Sequence, residues 1–219
     1  LETRLDELIV SNGEVSGVKV SNFGRSYEID ARRGVVLCAG GFEWNQELRE
    51  RFLPVPGLTR HSSTTEDANR GEALIAGMKI GAATEQTGDA WWIPTMHKPM
   101  PRTSNFEEIH QAAFDVGRPH SVCVNRNGVR FVDEACGYDE FGEAMVADQL
   151  KTGANTPCWL VFDATFRKNY SAGGFMPTII MPDPIIPPDF WDHYIFRAPT
   201  LEALAAKIHV PVDALRQTI

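Results

Sequence analysis

Two turn sequences near the start of the chain do most to restrict its fold. Asn12-Gly13 and Asn22-Phe23-Gly24 interrupt three strand-like segments, residues 5–10, 15–20 and 26–31. Asparagine and glycine tolerate the positive φ angles that tight hairpin turns require. The pattern predicts a three-stranded β-meander. Directly after it comes Gly34-Val35-Val36-Leu37-Cys38, a continuous apolar run. Such a run suits a parallel strand buried on both faces. It ends in Ala39-Gly40-Gly41, and a helical stretch is expected from about Asn45. A buried strand feeding a glycine turn is a feature of nucleotide-binding domains, because glycine lets backbone approach a phosphate or ribose closely. No G-x-G-x-x-G precedes it, and one parallel strand with one meander is too little for a complete Rossmann domain.

The middle of the chain reads as a mixed α+β domain. Residues 67–78 show helical spacing, with Ala68, Gly71, Leu74, Ile75 and Met78 on one face. Residues 84–118 read as a long irregular region holding Trp91, Trp92 and three prolines; long loops of this kind are often functional. Segments 121–124 and 129–132 are expected to form a hairpin around Asn127-Gly128. A helix is expected over 139–151, ending before Gly153, and a buried strand over 158–162. A proline-rich stretch, 177–188, should cross the surface. Thr200 suits the N-cap of a helix over 201–208. A further helix follows Pro211, proline being favoured at the first helical position. Elements reach both ends of the sequence, which reads as an internal piece of a larger protein. No internal repeat is visible.

Composition narrows the partners. Of 219 residues, 43% are hydrophobic and 23% charged, ordinary for a globular chain, and the formal net charge is -8. No basic block runs along the chain, so nucleic acid is not an expected partner. The four cysteines, Cys38, Cys123, Cys136 and Cys158, form no C-x-x-C pair and lie in apolar or mixed runs. They read as reduced, buried thiols of a cytoplasmic protein, with no metal site. The six histidines, at 61, 97, 110, 120, 193 and 209, show no ligand spacing. Asn169-Tyr170-Ser171 matches the glycosylation pattern, but no secretory signal accompanies it. No run approaches membrane-spanning length.

Three segments together carry a family resemblance. The first runs from Ala31 through Ala39-Gly40-Gly41 to Asn45. The second is Val124-Asn125-Arg126-Asn127-Gly128-Val129-Arg130-Phe131-Val132-Asp133-Glu134, and the third covers residues 200–219. They resemble the fumarate reductase/succinate dehydrogenase flavoprotein superfamily, and within it the 3-ketosteroid dehydrogenase branch. The first segment is similar to a returning strand whose turn lies against FAD. The second is close to the cap-domain pattern Val-Asn-x-x-Gly-x-Arg-Phe-x-Asn-Glu, with Asp133 at the usual Asn. The third resembles the helix pair that leads back out of the cap. One departure stands out: the family's Thr-Gly-Asp-Gly falls on Asp67-Ala68-Asn69-Arg70-Gly71, where only the last glycine remains.

The resemblance implies FAD as cofactor and, at Tyr138, a tyrosine that removes a proton, where fumarate reductases carry an arginine. A flavin dehydrogenase that makes a carbon–carbon double bond must remove a hydride and a proton from adjacent carbons. The flavin takes the hydride and a side chain takes the proton. A free phenol ionises at about pH 10, so a tyrosine base needs a positive or hydrogen-bonding neighbour. Ala39, Gly40 and Gly41 are the implied cofactor contacts. Trp91, Trp92, Arg130 and Glu134 are the candidates for the substrate side, with Phe114 and Trp191 as further aromatic lining. Arg130 and Glu134 also read as an ion pair that fixes the loop before Tyr138. Tyr138 has a bland alternative too, as an aromatic packed at a helix start.

The expectation is an α+β chain in two parts. Residues 1–55 form a partial, Rossmann-like FAD-binding segment and residues 56–219 a substrate-covering cap. The function implied is dehydrogenation of a ketosteroid or similar apolar ketone. The alternatives are a fumarate- or enoate-reductase-like flavoprotein, or a module without catalysis of its own. Without a phosphate-binding glycine motif, the chain by itself is expected to hold no tightly bound FAD and to be inactive alone.

Overall fold

The computed structural model of the chain describes residues 2–59, 62, 68–98 and 108–219. Asp67 and His61, named above, lie outside them, as do Pro99 and Pro101 of the region read as irregular. The chain divides into two compact units, Leu1–Ala90 and Trp91–Ile219. It is a mixed helix-and-sheet protein whose described sheets are small and antiparallel.

The first unit opens with the expected meander. Strands β1 (Thr3–Ser11), β2 (Glu14–Asn22) and β3 (Arg25–Asp30) pair antiparallel in chain order. Asn12 and Gly13 take φ of 53° and 83°, and Phe23 and Gly24 take 46° and 77°. Helix α1 (Gln46–Phe52) is capped by Asn45, whose Oδ1 accepts the Leu48 N–H at 3.1 Å. Helix α2 (Glu72–Lys79) packs on β1. It starts at Glu72 rather than near 67, because residues 68–70 are not helical and Gly71, with φ of 83°, stands at its N-cap. This division by packing falls at residue 90, whereas the sequence puts the boundary between flavin-binding segment and cap at residue 55.

Residues 34–38 form no strand. Val36 is 87% exposed, and Leu37 and Cys38 are exposed as well. A strand is defined by ladder hydrogen bonds, and among the described residues no neighbour supplies them to this segment. The expectation that Cys38 is buried therefore fails with the strand that would have buried it.

In the second unit, β4 (Thr95–Lys98) and β5 (Glu108–Gln111) pair antiparallel inside the region read as irregular. Each strand has four residues and no clear apolar alternation, so the sequence carries little signal for it. Strand β6 (Ser121–Val124) pairs with β7 (Trp159–Phe162), not with residues 129–132. The expected hairpin shrinks to one bridge, Val124 to Arg130. The reason is a captured donor: the Cys123 N–H, which a longer hairpin would use, goes to Glu134 Oε1 at 2.6 Å.

The Asn-x-x-Gly turn after β6 is the joint of this unit. Asn125 is buried, and its Oδ1 accepts the N–H groups of Asn127 and Val129 at 3.0 and 3.2 Å. Its Nδ2 donates to Asp148 Oδ2 at 2.8 Å, on the last turns of helix α3 (Tyr138–Thr152); Asn155 Nδ2 donates to the same oxygen at 2.7 Å. Gly128 has φ of 76°, and a Cβ there would lie 2.9 Å from the Leu215 nitrogen. Only glycine fits both the turn and the close approach of helix α6 (Val212–Thr218), whose Thr218 hydroxyl donates to the Gly128 carbonyl at 2.7 Å. The core beneath joins Val124 and Val161 of β6 and β7 to Ala205 of helix α5 (Leu201–Lys207), Ile208, Val210 and Leu215.

Helix α4 (Ala164–Asn169) is capped by Asp163 and carries Arg167, which is 8% exposed. Its guanidinium donates to the carbonyls of Met176 and Met181 at 2.5 and 3.1 Å and meets Asp183 at 3.2 Å. The proline-rich stretch is thereby held as an ordered surface segment with two short 3₁₀ turns, Asp183–Ile185 and Pro188–Phe190.

These positions set the thiol chemistry. Burial pushes the Cys158 thiol up to about 12 and raises Cys123 further still. With a disulfide reagent near pH 8, the native protein is expected to label first at Cys38, more slowly at Cys136, and at Cys123 and Cys158 only after unfolding. Mass mapping of labelled peptides checks this; rapid native labelling of Cys123 would contradict the burial of β6.

Candidate functional site

Tyr138 is the first residue of α3. Its helix start is tied down at several points. Gly137 N–H donates to Glu140 Oε2 at 3.3 Å, and its carbonyl accepts the Phe141 N–H at 2.9 Å. Asp133 folds the preceding loop: its Oδ1 accepts the Ala135 N–H at 3.2 Å and its carbonyl the Cys136 N–H at 3.1 Å. An asparagine oxygen would make the same contact, so Asp133 replaces the usual residue without losing the turn. The Tyr138 side chain is 40% exposed, at the head of the helix face that continues through buried Phe141 and Gly142.

Arg130 and Glu134 sit immediately before this start. Glu134 is 6% exposed and both its carboxylate oxygens are engaged. Arg130 Nε lies 3.2 and 3.1 Å from Oε1 and Oε2, and Nη2 lies 2.5 Å from Oε2. The pairing raises the Arg130 pKa. Together with the bond to Cys123 N–H, it locks the loop carrying Tyr138 onto the edge of β6.

The aromatic candidates do not all gather in one place. Trp191 lies beneath the Arg197 guanidinium, 5.1 Å from its ring centroid, in an open cleft of about 1010 Å³. That cleft is walled by Val122, Val161, Phe196 and Leu201, and Tyr138 is not part of it. Its basic side chains already have partners: Arg130 with Glu134, Arg167 and Arg197 with Asp183, and His120 with Asp163. Trp92 packs against α3 at Gly142, whereas Trp91 and Phe114 are 82% and 74% exposed.

One polar pair had no local sequence signal. His110 Nε2 lies 2.5 Å from Asp115 Oδ2, and Asp115 is 2% exposed. Burial raises the Asp115 carboxyl, against the pull of His110 and the Gly173 N–H. The fold of β5 and the following 3₁₀ turn, Ala112–Phe114, brings the two together. Among the described residues no cluster of three or more His, Cys, Asp or Glu could hold a metal, and no helix is long and apolar enough to cross a membrane.

In the first unit, Ala39, Gly40 and Gly41 lie in an exposed segment without regular structure. Gly40 has φ of 79°, and a Cβ on it would overlap the Asn69 side chain. Asn69 itself takes φ of 52° and donates to Glu43 Oε1 at 2.6 Å. Asparagine tolerates this left-handed conformation. The glycines present bare backbone to solvent, which fits close approach by a nucleotide.

Comparison with known proteins gives the family of the chain. The profile of the FAD binding domain family matches residues 1–219, and the chain belongs to that family. A 3-oxosteroid 1-dehydrogenase of Mycobacterium tuberculosis is 36% identical over 229 residues, covering 100% of this chain and 38% of that protein. A 4-oxocyclohexanecarboxylate 2-dehydrogenase of Sinomonas cyclohexanicum is 31% identical over 231 residues, covering 100% of this chain and 37% of the relative. Among solved structures, the 3-ketosteroid delta1-dehydrogenase of Sterolibacterium denitrificans in complex with 1,4-androstadiene-3,17-dione superposes with a TM-score of 0.86. It is 38% identical, over 99% of this chain and 38% of that one. The chain thus spans somewhat over a third of the length of these relatives.

Proposed function

We propose that this chain is the substrate-covering part, with some of the flavin-binding part, of an FAD-dependent dehydrogenase acting on a ketosteroid-like or other apolar ketone. In this reading residues 1–55 belong to the flavin-binding side and residues 56–219 to the cap. The observation that carries it is the placement of Tyr138: half-exposed, first in α3, on a loop clamped by the Arg130–Glu134 pair. Such bracing holds a proton acceptor within hydrogen-bond reach of one substrate carbon. FAD, when bound, supplies the acceptor for the hydride lost from the neighbouring carbon. Ala39, Gly40 and Gly41 would hold that cofactor through backbone contacts. Arg130 and Glu134 orient the loop, and Trp91 and Trp92 offer apolar surface to the substrate. Tyrosine at 138 favours an apolar ketone over a small dicarboxylate, whose charge calls for a cation.

The test is an assay of the whole flavoprotein with a panel of 3-ketosteroids, monocyclic ketones and fumarate, following flavin bleaching under anaerobic conditions. Bleaching by the ketones is expected; no bleaching by any ketone, with reoxidation of the reduced enzyme by fumarate, would overturn the reading. The chain expressed by itself is expected to purify without stoichiometric flavin. The pyrophosphate of a dinucleotide normally rests on a glycine turn at a helix N-terminus, and no such motif occurs in these residues. Absorbance of the purified chain checks this: one flavin per chain would show that Gly40 and Gly41 have more help than is supposed.

A further inference from the structure

Gly142 stands one turn after Tyr138 on the same face of α3, about 6 Å along the helix axis. It is buried, and the segment entering β4 crosses it in direct contact. A Cβ on Gly142 would overlap the Trp92 Cβ and lie 3.1 and 3.2 Å from the Trp92 carbonyl carbon and Cα. Backbone cannot yield to a new methyl as a side-chain tip can. The crossing is held on both sides. Phe141 packs edge-on against Phe131 at 5.7 Å, and the Pro94 carbonyl accepts the N–H of buried Ala112 at 2.8 Å. Trp91, next along the same segment, is 82% exposed.

We propose that Gly142 is a positioning residue that fixes the Trp91–Trp92 wall relative to Tyr138, and that this wall decides how large a ketone is accepted. The inference rests on the reading of Tyr138 as the base. The relatives motivate the size question: one is named for a tetracyclic ketone and another for a monocyclic one, within the same family. A single ring needs only the neighbourhood of the reacting carbon. A tetracyclic skeleton extends past Tyr138 and must rest on further apolar surface, which an exposed indole on a rigid segment supplies.

The experiment compares wild-type holoenzyme, Gly142→Ala and Trp91→Ala. It measures kcat/KM for a 3-ketosteroid and for 4-oxocyclohexanecarboxylate, and equilibrium binding of 1,4-androstadiene-3,17-dione by perturbation of the flavin spectrum. Both variants are expected to lower the steroid-to-monocycle ratio by about tenfold or more, the scale on which pocket contacts discriminate, and to weaken binding of the dienedione in step. An equal fall for both substrates would mark Gly142 as merely structural and overturn the proposal, as would an unchanged ratio. If Gly142→Ala fails to fold, Trp91→Ala decides by the same ratio. If the wild type turns over neither ketone, the Tyr138 reading fails. Dienedione binding then decides separately: tenfold weaker binding in the variants supports the wall, and unchanged or undetectable binding refutes it.

Discussion

Replacing Tyr138 by phenylalanine in the whole flavoprotein is expected to lower turnover of a ketone substrate by about 10²–10⁴, the usual contribution of a positioned acid or base. The substitution keeps the ring and removes only the hydroxyl. Tyr138 is 40% exposed and caps no neighbour through its hydroxyl among the described residues, so stability should move by well under about 1 kcal/mol. Substrate affinity should also change little, because the ring still fills its place. A fall in kcat with KM preserved is what loss of an interaction made in the transition state produces. Rapid-mixing measurement of flavin reduction isolates the chemical step from product release. Reduction at the wild-type rate with a ketosteroid would end the catalytic role of Tyr138, while leaving the family membership untouched.

The largest stability effect is expected at Arg130. Glu134 is 6% exposed, and its partners are the Arg130 guanidinium and one backbone N–H, that of Cys123. Arg130→Ala removes the charge that compensates a buried carboxylate. Breaking a buried pair in this way costs about 3–5 kcal/mol. The Arg130 side chain is itself 50% exposed, so water can enter from that side and the expected cost is about 3 kcal/mol, at the low end of the range. Glu134→Gln should cost less, about 1–2 kcal/mol, since the amide oxygen still accepts from Cys123 and the arginine left behind is solvated. Replacing both residues by apolar ones of similar volume should recover part of the loss. Urea denaturation of the four proteins checks the order. Arg130→Ala as stable as wild type would mean that the pair does not anchor the Tyr138 loop. The same variant should also slow flavin reduction, because the loop before α3 would no longer be clamped to β6.

How much of this was legible in the residue pattern depends on how local the cause is. The meander was: its turns need positive φ, and Asn12-Gly13 and Phe23-Gly24 adopt it. The Asn125–Gly128 turn was legible as a turn, and the helix starts at Thr200 and Asn45 follow from side chains that cap their own helices. These are effects within a few residues, where the chain's own stereochemistry decides. The family membership was legible for a related reason, since the motif from Val124 to Glu134 packs its determinants into eleven consecutive positions. Tertiary structure decided the rest. Residues 129–132 have the pattern of a hairpin arm, but Glu134 captures the donor that arm would have used, and β6 pairs instead with β7, more than thirty residues on. Residues 34–38 have the pattern of a buried strand, yet burial is a property of neighbours, and the described chain gives them none. The contact of Gly142 with Trp92 joins residues fifty apart, and the pairing of His110 with Asp115 depends on how β5 hands the chain to the following 3₁₀ turn. Periodicity records what one segment prefers; which partner meets it is set by the packing of all the others.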